Sequence, residues 1–269
     1  VPENYNQSPL LKKQVESGNL PPVEKRLPQQ PYVAKALDEI GQYGGTAQTV
    51  TTRPRSWGED IMMMAPFANL IRPTPSGDNF IPHLAKKMVS SNNDKTWTIY
   101  LREGTKWSDG HPFTADDIMF WYEDILLNEK LTPAISVAFK AENEVAQVQK
   151  INEYTVKFDF KAPKPYFKHR LAVWNGQIFA PEHYLKQFHP EYTDKDKLKK
   201  MAEEEGFDHW YQLFTEVGDR WNNPDLPVLS AWKLKKSANT GKQVFVRNPY
   251  YWKVDPEGNQ LPYIDEWSI

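Results

Sequence analysis

The chain has 269 residues, 39% of them hydrophobic and 25% charged, enough apolar material for two packed domains. A formal net charge of -2 gives no electrostatic footprint for nucleic acid. Mean hydropathy is -0.71, and no run reaches the roughly 18 apolar residues of a membrane span. The absence of cysteine excludes a disulfide framework, a thiolate zinc site and thiol catalysis.

Residues 1–43 are Pro-rich and irregular. They open without the basic and apolar stretches of a signal peptide, so any such peptide would already be removed. A short helix fits Ser8 to Ser17, with Gly18 just past its end. The rest reads as an arm laid over a domain surface, because its prolines oppose a helix or a central strand. Gly44-Gly45 then makes a turn, and "TAQTVTTR" favours a strand. "IMMMAPFANLIRPTP" (61–75) reads as a short apolar helix stopped by Pro73, and "DNFIPHLAKKMVSS" (78–91) as a surface connection.

"KTWTIYLREG" (95–104) alternates, with Trp97, Ile99 and Leu101 on one face. Asp109-Gly110 is a tight turn. Thr114 and Asp117 have the spacing of a capping box at a helix start. Ile118, Trp121, Tyr122, Ile125 and Leu126 continue as an amphipathic stripe, with Asp116, Asp117, Glu123 and Asp124 away from most of it. "ENEVAQVQKI" and "YTVKFDF" form a hairpin; 162–174 and 180–188 are short helices, and 193–218 is helical with a break near Gly206. Two strands flank the Asn-Thr-Gly turn within 230–252, "DPEGNQ" is a turn, and "LPYIDEWSI" heads into a strand.

Little here demands chemistry. There is no Gly-x-Ser-x-Gly and no His-Glu-x-x-His, and the six histidines at 83, 111, 169, 183, 189 and 209 are scattered. His111 sits in a turn and reads as a surface or capping residue. "MAEEEG" reads as a solvated helix face, and "DPEGNQ" lacks the spacing of a calcium loop. No catalytic residue, metal ligand or cofactor is expected. A glycosidase built on two carboxylates that meet across space stays open as an alternative. The ten tryptophans read first as core, and second as flat platforms for a ligand.

"LREGTKWSDGHPFTADDIMFWYEDI" (101–125) resembles the signature of the family 5 extracellular solute-binding proteins. "YGGTAQTV", "INEYTVKFDFKAPKPYF" and "VRNPYYWKVDPEGNQLPYIDEWSI" resemble three further family segments in the same order, so the likeness covers about 40 to 269. One stretch departs: "PVLSAWKLKK" (227–236) stands in place of a usual Gly-Thr-Gly-Pro-Tyr-x-Leu, with Trp232 where the family usually has Tyr.

The resemblance implies an α/β fold of the type II periplasmic-binding class, with mixed sheets, flanking helices and the third domain absent. The expected partition is an arm at 1–43, a discontinuous first domain at 44–58 and 170–269, and an inserted second domain at 59–169. It implies an extracytoplasmic binding component of an ABC importer, without enzymatic activity, that closes on its ligand and hands it to a permease. Contact with a membrane is expected only through that permease or a lipid anchor. Another protein on the same scaffold, a peptide-binding chaperone or a pheromone receptor, is the further alternative. Family usage points to peptide and the tryptophan count to oligosaccharide. The candidate ligand-binding residues are Arg53, Arg55, Trp57, Trp174, Asn175 and Trp232.

Overall fold

The computed structural model describes residues 2–36, 38–50, 68–74, 76–172, 177–237 and 242–269. In chain order the strands are β1 (Tyr32–Val33), β2 (Thr46–Gln48), β3 (Ile71–Pro73), β4 (Phe80–Pro82), β5 (Ala85–Ser91), β6 (Thr96–Leu101), β7 (Lys140–Ala141), β8 (Glu144–Val145), β9 (Gln147–Asn152), β10 (Thr155–Asp159), β11 (Trp232–Lys236), β12 (Val244–Arg247), β13 (Lys253–Val254) and β14 (Glu266–Ser268). Short helices separate them, so the fold is mixed α/β, as expected. No described helix is long and apolar enough to cross a membrane.

The described residues form two compact units. The first draws on Val1–Phe67, Gly104–Pro112 and Leu213–Ile269, and the second on Ala68–Glu103 and Phe113–Gln212. The expected partition gave residues 170–212 to the first domain; here they belong to the second unit. Backbone polarity gives the reason. The Ala180 N–H donates to the Asp117 carbonyl and the Glu182 N–H to its carboxylate, tying this stretch to the signature helix.

In the first unit the sheet runs β11-β12-β14-β2, antiparallel except for the parallel pair β14-β2. Leu234 and Phe245 pair across it, with Trp221, Trp232, Trp267 and Ile269 packed against them. The N-terminal arm is not a surface strap. Leu11, Leu20, Val23 and Leu27 are buried, Val23–Arg26 forms one helical turn, and β1 pairs in parallel with β13. Arg26 is 0% exposed. Its guanidinium donates to the carbonyls of Pro21 and Pro249 and to the side chains of Gln7 and Gln260. Ser8 caps the expected helical stretch, accepting from the Leu10 N–H, and Gly18 closes it at φ 75.

The second unit is built on an antiparallel sheet, β5-β6-β10-β9. Trp97, Ile99 and Leu101 of β6, with Val156 and Phe158 of β10, fill its inner face. The outer face is polar: Thr96 donates to Asp159, and Lys87 lies over the Tyr100 ring. Two expectations fail here. Ile71–Pro73 is strand β3, paired with β4, and not the end of a helix. The 78–91 segment contributes β4 and β5, because Leu84 and Ala85 are fully buried while the lysines after them face water.

The signature helix starts as expected. Thr114 accepts from the Asp116 N–H at 3.2 Å, and the Asp117 carboxylate accepts from the Thr114 N–H at 2.9 Å. The α-helix spans only Ala115–Phe120, and Trp121–Leu126 continues as π-helix. The burial departs from the expected stripe: Asp117 in the capping box and Asp124 in the wider turn are buried, whereas Trp121, Tyr122 and Ile125 are only half-buried.

Thr114→Ala is expected to lower stability by about 1 kcal/mol, and Thr114→Ser by only a few tenths. Urea unfolding of both variants checks this, and equal losses would mean that the hydroxyl does not cap the helix.

Candidate functional site

Of the six residues expected to bind ligand, Arg53, Arg55, Trp57, Trp174 and Asn175 lie outside the described residues. Trp232 is described. As the first residue of β11 it is half-buried and pairs with Arg247. Its indole N–H donates to the Ile264 carbonyl at 3.1 Å. Its ring meets Trp267 edge to face, 5.8 Å between centroids at 88°, a favoured aromatic geometry.

Period-two alternation explains why these side chains share a face. Trp232 and Leu234 lie two apart on β11; Leu234 pairs with Phe245 on β12, and Phe245 with Trp267 on β14. Trp221, just beyond the Trp210–Val217 helix, adds its ring edge-on to Phe245 at 5.9 Å. Its carbonyl is held by the Gln243 side chain. Three half-buried indoles thus surround a small apolar core. The Trp267 N–H is buried with no acceptor among the described residues, an energetically costly arrangement for an indole.

Beside this wall the charges are already committed. Arg247 pairs with Asp265 at 2.7 Å and donates to the carbonyls of Pro262 and Tyr263. It also lies over the Tyr43 ring at 5.3 Å. Burial holds its guanidinium below the ordinary arginine range, while Asp265 pulls it back up. Ser8 donates to the same Asp265 oxygen. This network positions the strands that carry Trp232 and Trp267.

Trp221 and Trp267 were not among the expected site residues. Trp267 could have been found: "DEWSI" alternates, and its Trp falls on the face opposite Glu266 and Ser268. Trp221 lies in an irregular stretch whose sequence carries no phase. His111 is exposed, its N–H donates to the Asp109 carboxylate, and its carbonyl accepts from Trp107, so it belongs to the turn. Among the described residues no group of three or more His, Asp or Glu side chains could hold a metal ion.

The model for bacterial extracellular solute-binding proteins, family 5, matches residues 79–269. This chain belongs to that family. It is 37% identical to the periplasmic alpha-galactoside-binding protein of Rhizobium meliloti (strain 1021), over 96% of this chain and 38% of that protein. Among solved structures, an oligopeptide-binding protein OppA superposes with a TM-score of 0.92 at 40% identity, covering 98% of this chain and 41% of that one. The periplasmic binding protein MelB of Agrobacterium fabrum C58, solved with stachyose, gives 0.80 at 32% identity over 99% and 40%. The fold is thus that of the type II periplasmic binding proteins, and the chain spans about two fifths of the length of these relatives. All three are named as binding proteins.

Trp232→Phe keeps a ring against Trp267 but loses the bond to Ile264, and is expected to cost about 1 kcal/mol. Trp232→Ala also loses the ring contact and should cost about 3 kcal/mol. Chemical unfolding measures both; equal losses would show that the ring adds nothing beyond its N–H.

Proposed function

We propose that this chain is the substrate-capturing part of an ABC importer, working outside the cytoplasm, with an α-galactoside-type oligosaccharide as its ligand. The observation that carries the reading is the likeness to MelB with stachyose bound, over 99% of the chain at 32% identity. The alpha-galactoside-binding relative supports it. The chemistry agrees: a sugar ring offers apolar C–H faces that stack on aromatic planes, and its hydroxyls take hydrogen bonds from planar polar groups. Trp232 and Trp267 supply such planes, and Arg53, Arg55, Trp57, Trp174 and Asn175 remain the proposed companions. Closure of two lobes would bury the sugar and present the loaded protein to a permease; periplasmic binding proteins are a standing example of that motion. No catalytic step is part of this function.

A second reading is favoured by the OppA structure, which superposes more closely than MelB. In that case the ligand is an oligopeptide, held by main-chain pairing with side-chain pockets.

Calorimetry of the whole gene product with stachyose and with a tripeptide separates the two. Binding of stachyose alone is expected, with the melting transition stabilised by about 2.7 kcal/mol at a hundred times the dissociation constant. Trp232→Ala should weaken stachyose binding roughly fivefold, about 1 kcal/mol of stacking. Tripeptide binding without stachyose binding would establish the second reading.

A further inference from the structure

The second unit carries an apolar surface loop that none of the above uses. Residues 131–139, "LTPAISVAF", hold no charge, yet the stretch lies at the surface. Pro133, Ala134 and Ser136 are exposed, Leu131 and Ile135 are half-buried, and Val137 is 79% exposed. The loop is fixed at both ends. The Thr132 N–H donates to the Asn128 carbonyl and its hydroxyl to the Ile125 carbonyl, both at 2.7 Å. Ser136 caps the Val137–Phe139 turn, and Phe139 sends its ring inward against Trp121 and Phe167. Lys164 Nζ donates to the carbonyls of Val137 and Lys140, at 2.7 Å each. The backbone thus holds the Val137 side chain in water, where the hydrophobic effect alone would draw it inward.

Lys164 also joins a second exposed element to the loop. Tyr166, two residues on, is 75% exposed and follows the exposed Pro163 and Pro165. Val137 and Tyr166 are the two most exposed large apolar side chains among the described residues of this unit. The Tyr166 ring meets His169 at 5.3 Å, His169 meets Phe80 at 4.7 Å, and Lys168 sets its ammonium over Phe80 at 5.3 Å.

The charge around these residues is mostly lysine. Lys130 and Lys140 border the loop, with Glu129 and Glu142 beyond them in sequence. The run 160–181 contains Lys161, Lys164, Lys168 and Arg170 and no carboxylate, in a chain of net charge -2. Lys161 is taken up by Glu144, whereas the Lys164 ammonium meets carbonyls and that of Lys168 a ring face.

We propose that this face of the second unit touches a lipid surface with anionic headgroups, Val137 and Tyr166 entering the headgroup layer and the lysines meeting its charge.

Composition favours lipid over a groove on a protein. Protein interfaces are enriched in Arg and large aromatic anchors and depleted in Lys. Here the tip is Pro, Ala and Val, and lysines surround it. A lysine stem lies along apolar surface while its ammonium reaches the headgroups, and tyrosine suits the membrane interface. A lysine beside an anionic leaflet strengthens binding roughly fivefold, about 1 kcal/mol, so the contact is weak and reversible. It is a route to the membrane separate from a permease or a lipid anchor.

Cosedimentation of the full chain with vesicles tests this. One set is phosphatidylcholine alone, the other an equimolar mixture with phosphatidylglycerol. Binding to the mixed vesicles is expected, weakened by salt, with far less on phosphatidylcholine. Val137→Asp and Tyr166→Ala should each lower partition by roughly fivefold or more, and Lys168→Gln by roughly fivefold. Ile151→Asp, at a side chain 53% exposed on β9, should bind like the parent. Thermal unfolding confirms that the variants are folded. Equal binding to both vesicle types, undiminished binding of Val137→Asp and Tyr166→Ala, or an equal loss in Ile151→Asp would each overturn the proposal. Binding to native membranes but not to protein-free vesicles would overturn it as well, and would assign the face to a protein partner.

Discussion

Arg26 puts a full positive charge where water does not reach, and the first unit is arranged around that constraint. A guanidinium carries five donors, and each must find an acceptor when buried. Here the acceptors are neutral oxygens from three separate places: Gln7 and Pro21 in the arm, Pro249 after β12, and Gln260 beyond β13. Burial pushes the Arg26 pKa down to about 10, so the group stays charged at neutral pH and the demand for acceptors persists. Satisfying it brings β1 beside β13 and seats Val23 and Leu27 on Val254.

The same constraint explains what the sequence concealed. The arm looked like a strap because prolines deny it a helix or a long strand, and proline content is a local property. Its burial depends on partners more than 200 residues away, such as Gln260 for Arg26 and Asn259 for Asn6. Elements whose cause is local were legible. The Trp97, Ile99, Leu101 alternation shows which face of β6 is buried, and Thr114 with Asp117 marks the helix start. Failures occurred where two periods fit equally well. "WYEDIL" suits an α-stripe, but the π-turn buries Asp124. The 78–91 stretch looked polar because one face of its sheet is wet. Of the candidate indoles, Trp232 was named from a departure within a family segment, and Trp267 was missed although simple alternation gives its face. Trp221 required the sheet itself.

Asp117 shows how one carboxylate can serve two levels of structure. It closes the capping box at Thr114 and accepts from the Glu182 N–H, while its own carbonyl takes the Ala180 N–H. A residue whose spacing announced only a helix start also joins the 178–182 stretch to that helix. Asp124 behaves similarly one π-turn later, with Tyr192 as its donor. The acidic run that could pass for a solvated helix face is therefore partly internal scaffold.

The two units differ in when they can be completed. Every segment of the second lies between Ala68 and Gln212, so its sheet has all of its strands before β11 to β14 are made. The first unit waits for β13, Gln260 and β14, and its arm is made more than 200 residues before them. Contacts that close loops of more than 200 residues are slow to form, because chain entropy must be lost before they are gained. A ribosome that has just made residue 212 therefore carries one complete unit and one waiting arm, and Arg26 becomes buried only once Pro249 and Gln260 arrive.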